Sequence, residues 1–173
     1  RKYNFRTNKE GDIKMSLNQF SRTELLIGKD GIEKLQKAKV AVFGIGGVVT
    51  FKNAKDLKEV ANLVNNGNGL LRKTVKLMAP IDLNNEEWTP IGTQSSPFKG
   101  TFDGNNQTIK NLTITSGLSN VGLFGFTTDG EIKNLQIRNA SVKGYLNVGV
   151  VSGTPYTSKY TNIKVLGDIK VDN

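Results

Sequence analysis

The residues that could do chemistry are few, and two absences narrow them first. The 173-residue chain has no histidine and no cysteine. A Ser-His-Asp triad, a cysteine nucleophile, a His- or thiolate-ligated metal and a disulfide are therefore excluded. What remains is one glycine loop and a set of carboxylates with amides around them. The loop is Gly44-Ile45-Gly46-Gly47, after the short apolar run KVAVF at 39–43. A strand followed by G-x-G-x-x-G at a helix start cradles a pyrophosphate on backbone N–H groups. Here Gly44 and Gly46 take the first two glycine places, but Val49 stands in the third. Thr50-Phe51 is a strand-like pair where the helix should begin. An acidic ribose ligand is expected about 20 residues on, and Leu70-Leu71-Arg72 stands there instead. The loop is read as degenerate, holding no cofactor.

The carboxylates are weighed next. Glu86-Glu87 with Asp82 or Asp103 could make a pair for glycoside cleavage, which needs two acids about 5–9 Å apart across the bond. Their setting beside Asn84-Asn85 reads instead as a solvated loop. Asp103-Gly104-Asn105-Asn106 offers clustered oxygen donors, but the regular ligand series of a calcium loop is missing. Asp-Gly before a strand predicts a hairpin turn. Trp88, Tyr145, Tyr156 and Tyr160 could stack on sugars; burial for Trp88 and ordinary surface roles for the tyrosines are the expectation. The N-x-S/T triplets at Asn106, Asn111 and Asn139 are read as chance matches. No catalytic residue and no metal site is expected.

The elements that must position these groups follow two plans. Residues 1–14 (RKYNFRTNKEGDIK) lack periodicity and read as a disordered leader, with Met15 as a natural start. Residues 21–37 suit helices: Ser21-Arg22-Thr23-Glu24 has the capping-box form. Residues 53–66 predict an amphipathic helix, with Asn53 as N-cap and Leu57, Val60, Ala61 and Val64 as its apolar stripe. Beyond it come short strands with Gly- and Asn-rich turns, and an internal repeat. Ile109-Lys110-Asn111-Leu112-Thr113-Ile114 is echoed by Ile132-Lys133-Asn134-Leu135-Gln136-Ile137, with a weaker copy at Asn162. Asn120-Val121-Gly122-Leu123-Phe124-Gly125 is echoed from Asn147. Repeats of this length built from short strands predict a solenoid, whose coils bury their apolar faces only by stacking. Three-residue spacing from Ile109 to Leu112 requires a bend at Asn111, and likewise at Asn134. Asn111, Asn134 and Asn162 are expected at equivalent corners. Ile109/Ile132, Leu112/Leu135 and Ile114/Ile137 are expected as interior stacks.

Two resemblances follow from these residues. RTELLIG, a basic helix and KVAVFGIGGV, over residues 15–48, resemble the opening of the E1-like adenylating family (ThiF and MoeB type), closest to tRNA threonylcarbamoyladenosine dehydratases. The family's downstream ATP-binding positions have no counterpart here. WTPIG, FKGTFDGNNQTIKNLTI and NVGLFG, over residues 50–173, resemble GLUG-motif repeats of bacterial surface proteins. That second resemblance implies a right-handed β-helix-like solenoid in adhesins, a cell-surface or secreted setting, and an extracellular host or cell-wall ligand, protein or glycan.

The expected architecture is mainly β: a solenoid over 50–173 with an N-terminal capping helix, preceded by an α/β remnant at 15–49 and the leader at 1–14. The expected role is a non-catalytic structural or adhesive module. The alternatives are an inactive fragment of an E1-like enzyme and a polysaccharide-active β-helix enzyme. Net charge is +9, but residues 61–173 hold only 11 Lys/Arg against 8 Asp/Glu. With no basic cluster there, nucleic acid is not an expected partner. No apolar run is long enough to span a membrane, and no signal peptide is visible.

Overall fold

The computed structural model describes residues 6–7, 13–14 and 47–173. The chain divides into two compact units, 1–42 and 43–173. In the first, Arg6–Thr7 (β1) pairs antiparallel with Ile13–Lys14 (β2). The helices expected at 21–37, the KVAVF strand and Gly44 and Gly46 lie outside the described residues.

The second unit is a parallel β-solenoid of about four turns. Its first rung is Val48–Phe51 (β3), so Val48 and Val49 belong to the solenoid and not to the segment before it. A helix, Ala54–Asn65 (α1), follows. The strands are Thr74–Leu77 (β4), Ile81–Asp82 (β5), Thr101–Asp103 (β6), Thr108–Ile114 (β7), Phe124–Thr128 (β8), Glu131–Lys143 (β9), Ser152–Tyr156 (β10) and Lys159–Asp172 (β11). The first side of each coil stacks β3, β4, β6 and the starts of β9 and β11, all parallel. The second side stacks β5, β7, the middle of β9 and the middle of β11. The third pairs β8 with β10.

Alternation along each short strand turns one residue inward, and the coils set these residues in columns. Val75, Phe102 and Ile132 form one buried column. Ile81, Ile109, Ile137 and Val165 form another, each 28 residues after the last. Aromatic rings join the sides: Phe102 meets Phe124 edge-on at 5.1 Å, and Phe51 meets Phe102 at 5.4 Å.

Helix α1 lies at one end of this core. Asn53 Oδ1 accepts from Asp56 N at 2.9 Å, and Asp56 accepts in return from Lys52 N at 3.2 Å, a reciprocal cap. Leu57, Val60, Ala61 and Val64 are buried in the solenoid core. At the helix end Asn65 Nδ2 donates to Pro90 O at 3.0 Å, while Asn65 Oδ1 accepts from Gly92 N at 2.7 Å. The helix thus covers the apolar interior and satisfies backbone groups of the first coil.

The register corrects two expectations. Ile109 stands opposite Ile137, Leu112 opposite Ala140 and Ile114 opposite Val142. The sequence echo had placed Ile109 over Ile132 and Leu112 over Leu135; instead Ile132 lies opposite Phe102 and Leu135 opposite Ile163. The cause is corner length. Residues 104–107 separate Asp103 from Thr108, whereas only Asn134 and Leu135 separate Lys133 from Gln136. The words I-K-N-L therefore fall one side later in the second coil than in the third. The Asp103-Gly104 turn is also not a hairpin. β6 and β7 pair with strands of neighbouring coils and not with each other.

Candidate functional site

The chemistry-bearing side chains collect at the corners. The bends expected at Asn111, Asn134 and Asn162 are present as left-handed backbone, with φ of 59°, 52° and 52°. Asparagine tolerates that conformation better than other residues with a Cβ. Asn134 and Asn162 occupy equivalent corners: Asn162 Nδ2 donates to Asn134 Oδ1 at 3.0 Å. Asn111 does not join them. It stands at the next corner, in register with Asn139.

A rule links the corners. A wide corner, Asp-x-Asn-Asn followed by Glu or Gln, lies beneath a tight Lys-Asn-Leu corner of the next coil. Asp82-Leu83-Asn84-Asn85-Glu86 lies beneath Lys110-Asn111-Leu112. Asp103-Gly104-Asn105-Asn106-Gln107 lies beneath Lys133-Asn134-Leu135. In each wide corner the carboxylate accepts from the backbone N–H two residues on, at 2.9 Å in both cases. Each carboxylate also accepts the Nδ2 of the asparagine above, Asn111 to Asp82 at 2.8 Å and Asn134 to Asp103 at 3.2 Å. The second Asn of each pair donates its backbone N–H to the tight asparagine's carbonyl, at 3.2 and 2.8 Å. The recurring D-x-N-N-[EQ] was readable in the sequence, and it is the signal that would have revealed the true register.

The carboxylates singled out in the sequence are all bonded. The N–H of Asn84, then Lys110 and Asn111, hold the Asp82 carboxyl below its usual range. Lys133 does the same for Glu131, and is itself raised by it. Glu86 pairs with Lys58 of α1. Glu87 accepts from the Thr115 N–H at 2.8 Å and from its hydroxyl at 2.8 Å. Among the described residues no group of three carboxylates is placed to hold a metal ion. Trp88 is buried, with Nε1 donating to Leu123 O at 3.1 Å, so its ring is part of the core. Tyr160 bonds the buried Thr127 hydroxyl at 2.9 Å, while Tyr145 and Tyr156 are exposed.

The echo of Asn120 at Asn147 is in register, whereas the groove along the second corner went unread in the sequence. A third asparagine column joins Asn147 Nδ2 to Asn120 Oδ1 at 2.8 Å. An open groove of about 280 Å³ runs along the second corner, lined by Asn85, Asn111, Asn139, Ser141, Asp168 and Lys170. Of the glycine loop only Gly47 is described, and β3 begins directly after it.

The fold and its corners define a parallel β-solenoid repeat protein. Its sequence is similar to halomucin of Haloquadratum walsbyi, 52% identical over 61 residues, which is 34% of this chain and 1% of halomucin. A stretch of 35 residues, 20% of this chain, is 60% identical to the tRNA threonylcarbamoyladenosine dehydratase of Bacillus subtilis and spans 14% of that enzyme. The chain thus covers a small part of each of these relatives. No protein-family model matches it, and no solved structure does. No helix among the described residues is long and apolar enough to cross a membrane.

Proposed function

We propose that the chain is a non-catalytic structural repeat module of a cell-surface protein, of the GLUG type, presenting an extracellular surface to a protein or glycan ligand. The observation that carries this reading is the use of the carboxylates. Asp82, Asp103 and Glu87 each accept hydrogen bonds that hold one coil on the next. A general acid or base needs a proton free to move at the operating pH, and carboxylates held in this way are building material. The likeness to halomucin supports the setting. The dehydratase-like stretch brings no activity in this reading, because β3 runs where a phosphate-binding helix would start.

Two measurements test the proposal together. Antibody labelling of intact source cells should find the chain outside. Incubation with bacterial and plant polysaccharides should release neither reducing nor unsaturated ends. Labelling only after lysis would overturn the setting, and sugar release that Asp82→Asn or Glu87→Gln abolishes would overturn the non-catalytic reading.

A further inference from the structure

The corners of the solenoid do not use their side chains alike. At the first corner the amides are spent within the fold. Asn162 Nδ2 donates to Asn134 Oδ1 at 3.0 Å and to Asn106 Oδ1 at 3.3 Å, and Asn134 Nδ2 donates to Asp103. Asn147 is likewise bonded to Asn120. The second corner differs. Asn139 Oδ1 accepts from the Asp168 N–H at 3.2 Å, but among the described residues nothing takes its Nδ2. The side chains of Asn85, Ser141, Asp168 and Lys170 also have no partner among the described residues. All of these line the open groove of about 280 Å³. Polar groups left over by the fold and gathered on one concave surface are the signature of a binding site. The groove crosses the coils from side to side of the stack. The Asn85 N–H donates to Asn111 O at 3.2 Å, Asn111 is level with Asn139, and Asp168 follows Asn139 in the next coil. Its lining therefore repeats once per coil, about every 4.8 Å, close to the advance of one ring along an extended sugar chain.

We propose that this groove binds a neutral glycan chain laid parallel to the solenoid axis, about one sugar ring to each coil. The proposal names the ligand within the surface-module reading and rests on that reading. Three observations select this ligand. The two charges of the groove, Asp168 and Lys170, cancel, and its other polar groups are amides and a hydroxyl. A sugar hydroxyl both donates and accepts, as amides and hydroxyls do, whereas an anionic chain calls for an excess of cations. The apolar lining residue, Ala140, is buried, so the groove lacks the apolar centre of a protein interface. No aromatic ring lines it, so a single sugar has no platform to stack on, and affinity must accumulate along a chain.

The test titrates the full chain with neutral β-linked oligomers of glucose, mannose and N-acetylglucosamine of increasing length, with polygalacturonate as the acidic comparison. At least one neutral series should bind, with the dissociation constant falling as rings are added and levelling off at about four, the number of coils. Asn85 and Asn139 have left-handed backbone, with φ of 58° and 55°, so glycine keeps both bends and removes both amides. The double variant Asn85→Gly with Asn139→Gly should raise the dissociation constant about tenfold. Asn106→Gly, at φ 58° on the first corner, should bind as the parent does, and thermal melts verify that both variants are folded. No binding to any neutral series, binding that the double variant leaves unchanged, or a preference for polygalacturonate that salt abolishes would overturn the proposal. The surface-module reading fails separately: labelling of cells only after lysis sinks that reading, while absent glycan binding by a chain that labels outside sinks this one alone.

Discussion

Asn111 sits over Asp82, its Nδ2 donating to Asp82 Oδ1 at 2.8 Å across two successive coils. The other carboxylate oxygen of Asp82 faces Lys110 Nζ at 3.0 Å. Because Asn111 is the residue that bends β7, its bond to Asp82 ties the shape of one coil to the position of the next. Asn134 and Asp103 repeat the relationship one side earlier in the coil. Corner bonding and stacking register are therefore one device, and a change at a corner is felt between coils.

Acid should loosen this device. The Asp82 carboxyl is held below its usual range by the Asn84 N–H, Lys110 and Asn111. A carboxyl lowered in the folded state binds its proton more readily when unfolded. Its contribution is present above the unfolded value, near pH 4, and is lost as pH falls through the folded value. Glu131 follows the same sign. Lys133, raised by Glu131, contributes below its unfolded value and loses that contribution only in strong alkali. Urea titrations should show stability flat through neutral pH and falling below about pH 4. Asp82→Asn should be less stable than the parent at pH 7, with the gap closing at the acid end. A gap that stays constant with pH would refute the linkage.

Asn134 separates two contributions. Its left-handed backbone suits Asn or Gly, while its amide bonds Asp103 and accepts from Asn162. Asn134→Gly keeps the bend and loses the bonds, so a cost of about 1 kcal/mol is expected. Asn134→Leu loses both and should cost about 2–3 kcal/mol despite its added apolar area. Equal losses in urea unfolding would show that the bend carries no strain.

The helix was legible because it is periodic, and alternation told which strand residues turn inward but not which of them share a column. Leu57, Val60, Ala61 and Val64 recur at helical spacing, and all four are buried. Alternation in Thr74–Leu77 and the bends at Asn111 and Asn134 likewise follow from local sterics. The register was not legible from the I-K-N-L echo. Those residues specify a bend with an apolar residue on either side, and such a bend fits either corner. Which corner it occupies depends on the two extra residues in 104–107, whose effect appears only when coils stack. Glu86 and Glu87 are exposed, as a solvated loop requires, but their bonds to Lys58 and Thr115 were not legible because each partner lies 28 residues away.

Close approach of coils makes some glycines irreplaceable. A Cβ on Gly122 would lie 2.3 Å from Gly149 O, a backbone atom of the next coil. Gly122→Ala must part the coils and should cost at least about 1–3 kcal/mol, as overpacking does. Gly117 has φ +64° and open space around it. Gly117→Ala should cost only the strain of its backbone, about 1 kcal/mol. Thermal melts that rank the two variants the other way would contradict the spacing of the coils.

The capping helix gives a larger effect. Leu57 is fully buried among residues of the core. Leu57→Asp would remove its apolar contact and place a carboxylate where nothing pairs with it. A loss of about 3–5 kcal/mol is expected, whereas Lys55→Asp, on the partly exposed side of α1, should change little. Urea unfolding of both variants measures the difference. Unchanged stability in Leu57→Asp would mean that α1 does not hold the end of the solenoid closed.

The strand that follows the glycine loop leads to the last prediction. In a nucleotide-binding domain the third glycine of the loop lets a helix pack under the phosphates, and the N–H groups of that helix hold them. Val49 occupies that place and stands in parallel register with Val75, while Thr50 and Phe51 continue β3 against Lys76 and Leu77. The N–H groups that would face a phosphate therefore belong to a β ladder, and Phe51 is buried in the solenoid core. Forming a phosphate-binding helix here would strip the first rung from the solenoid. The full chain should show no heat of ATP binding at micromolar concentrations in titration calorimetry, with or without magnesium. Val49→Gly should not create binding, since it restores the missing glycine and leaves the rung in place. Saturable ATP binding by either protein would show that the loop still works as a phosphate site.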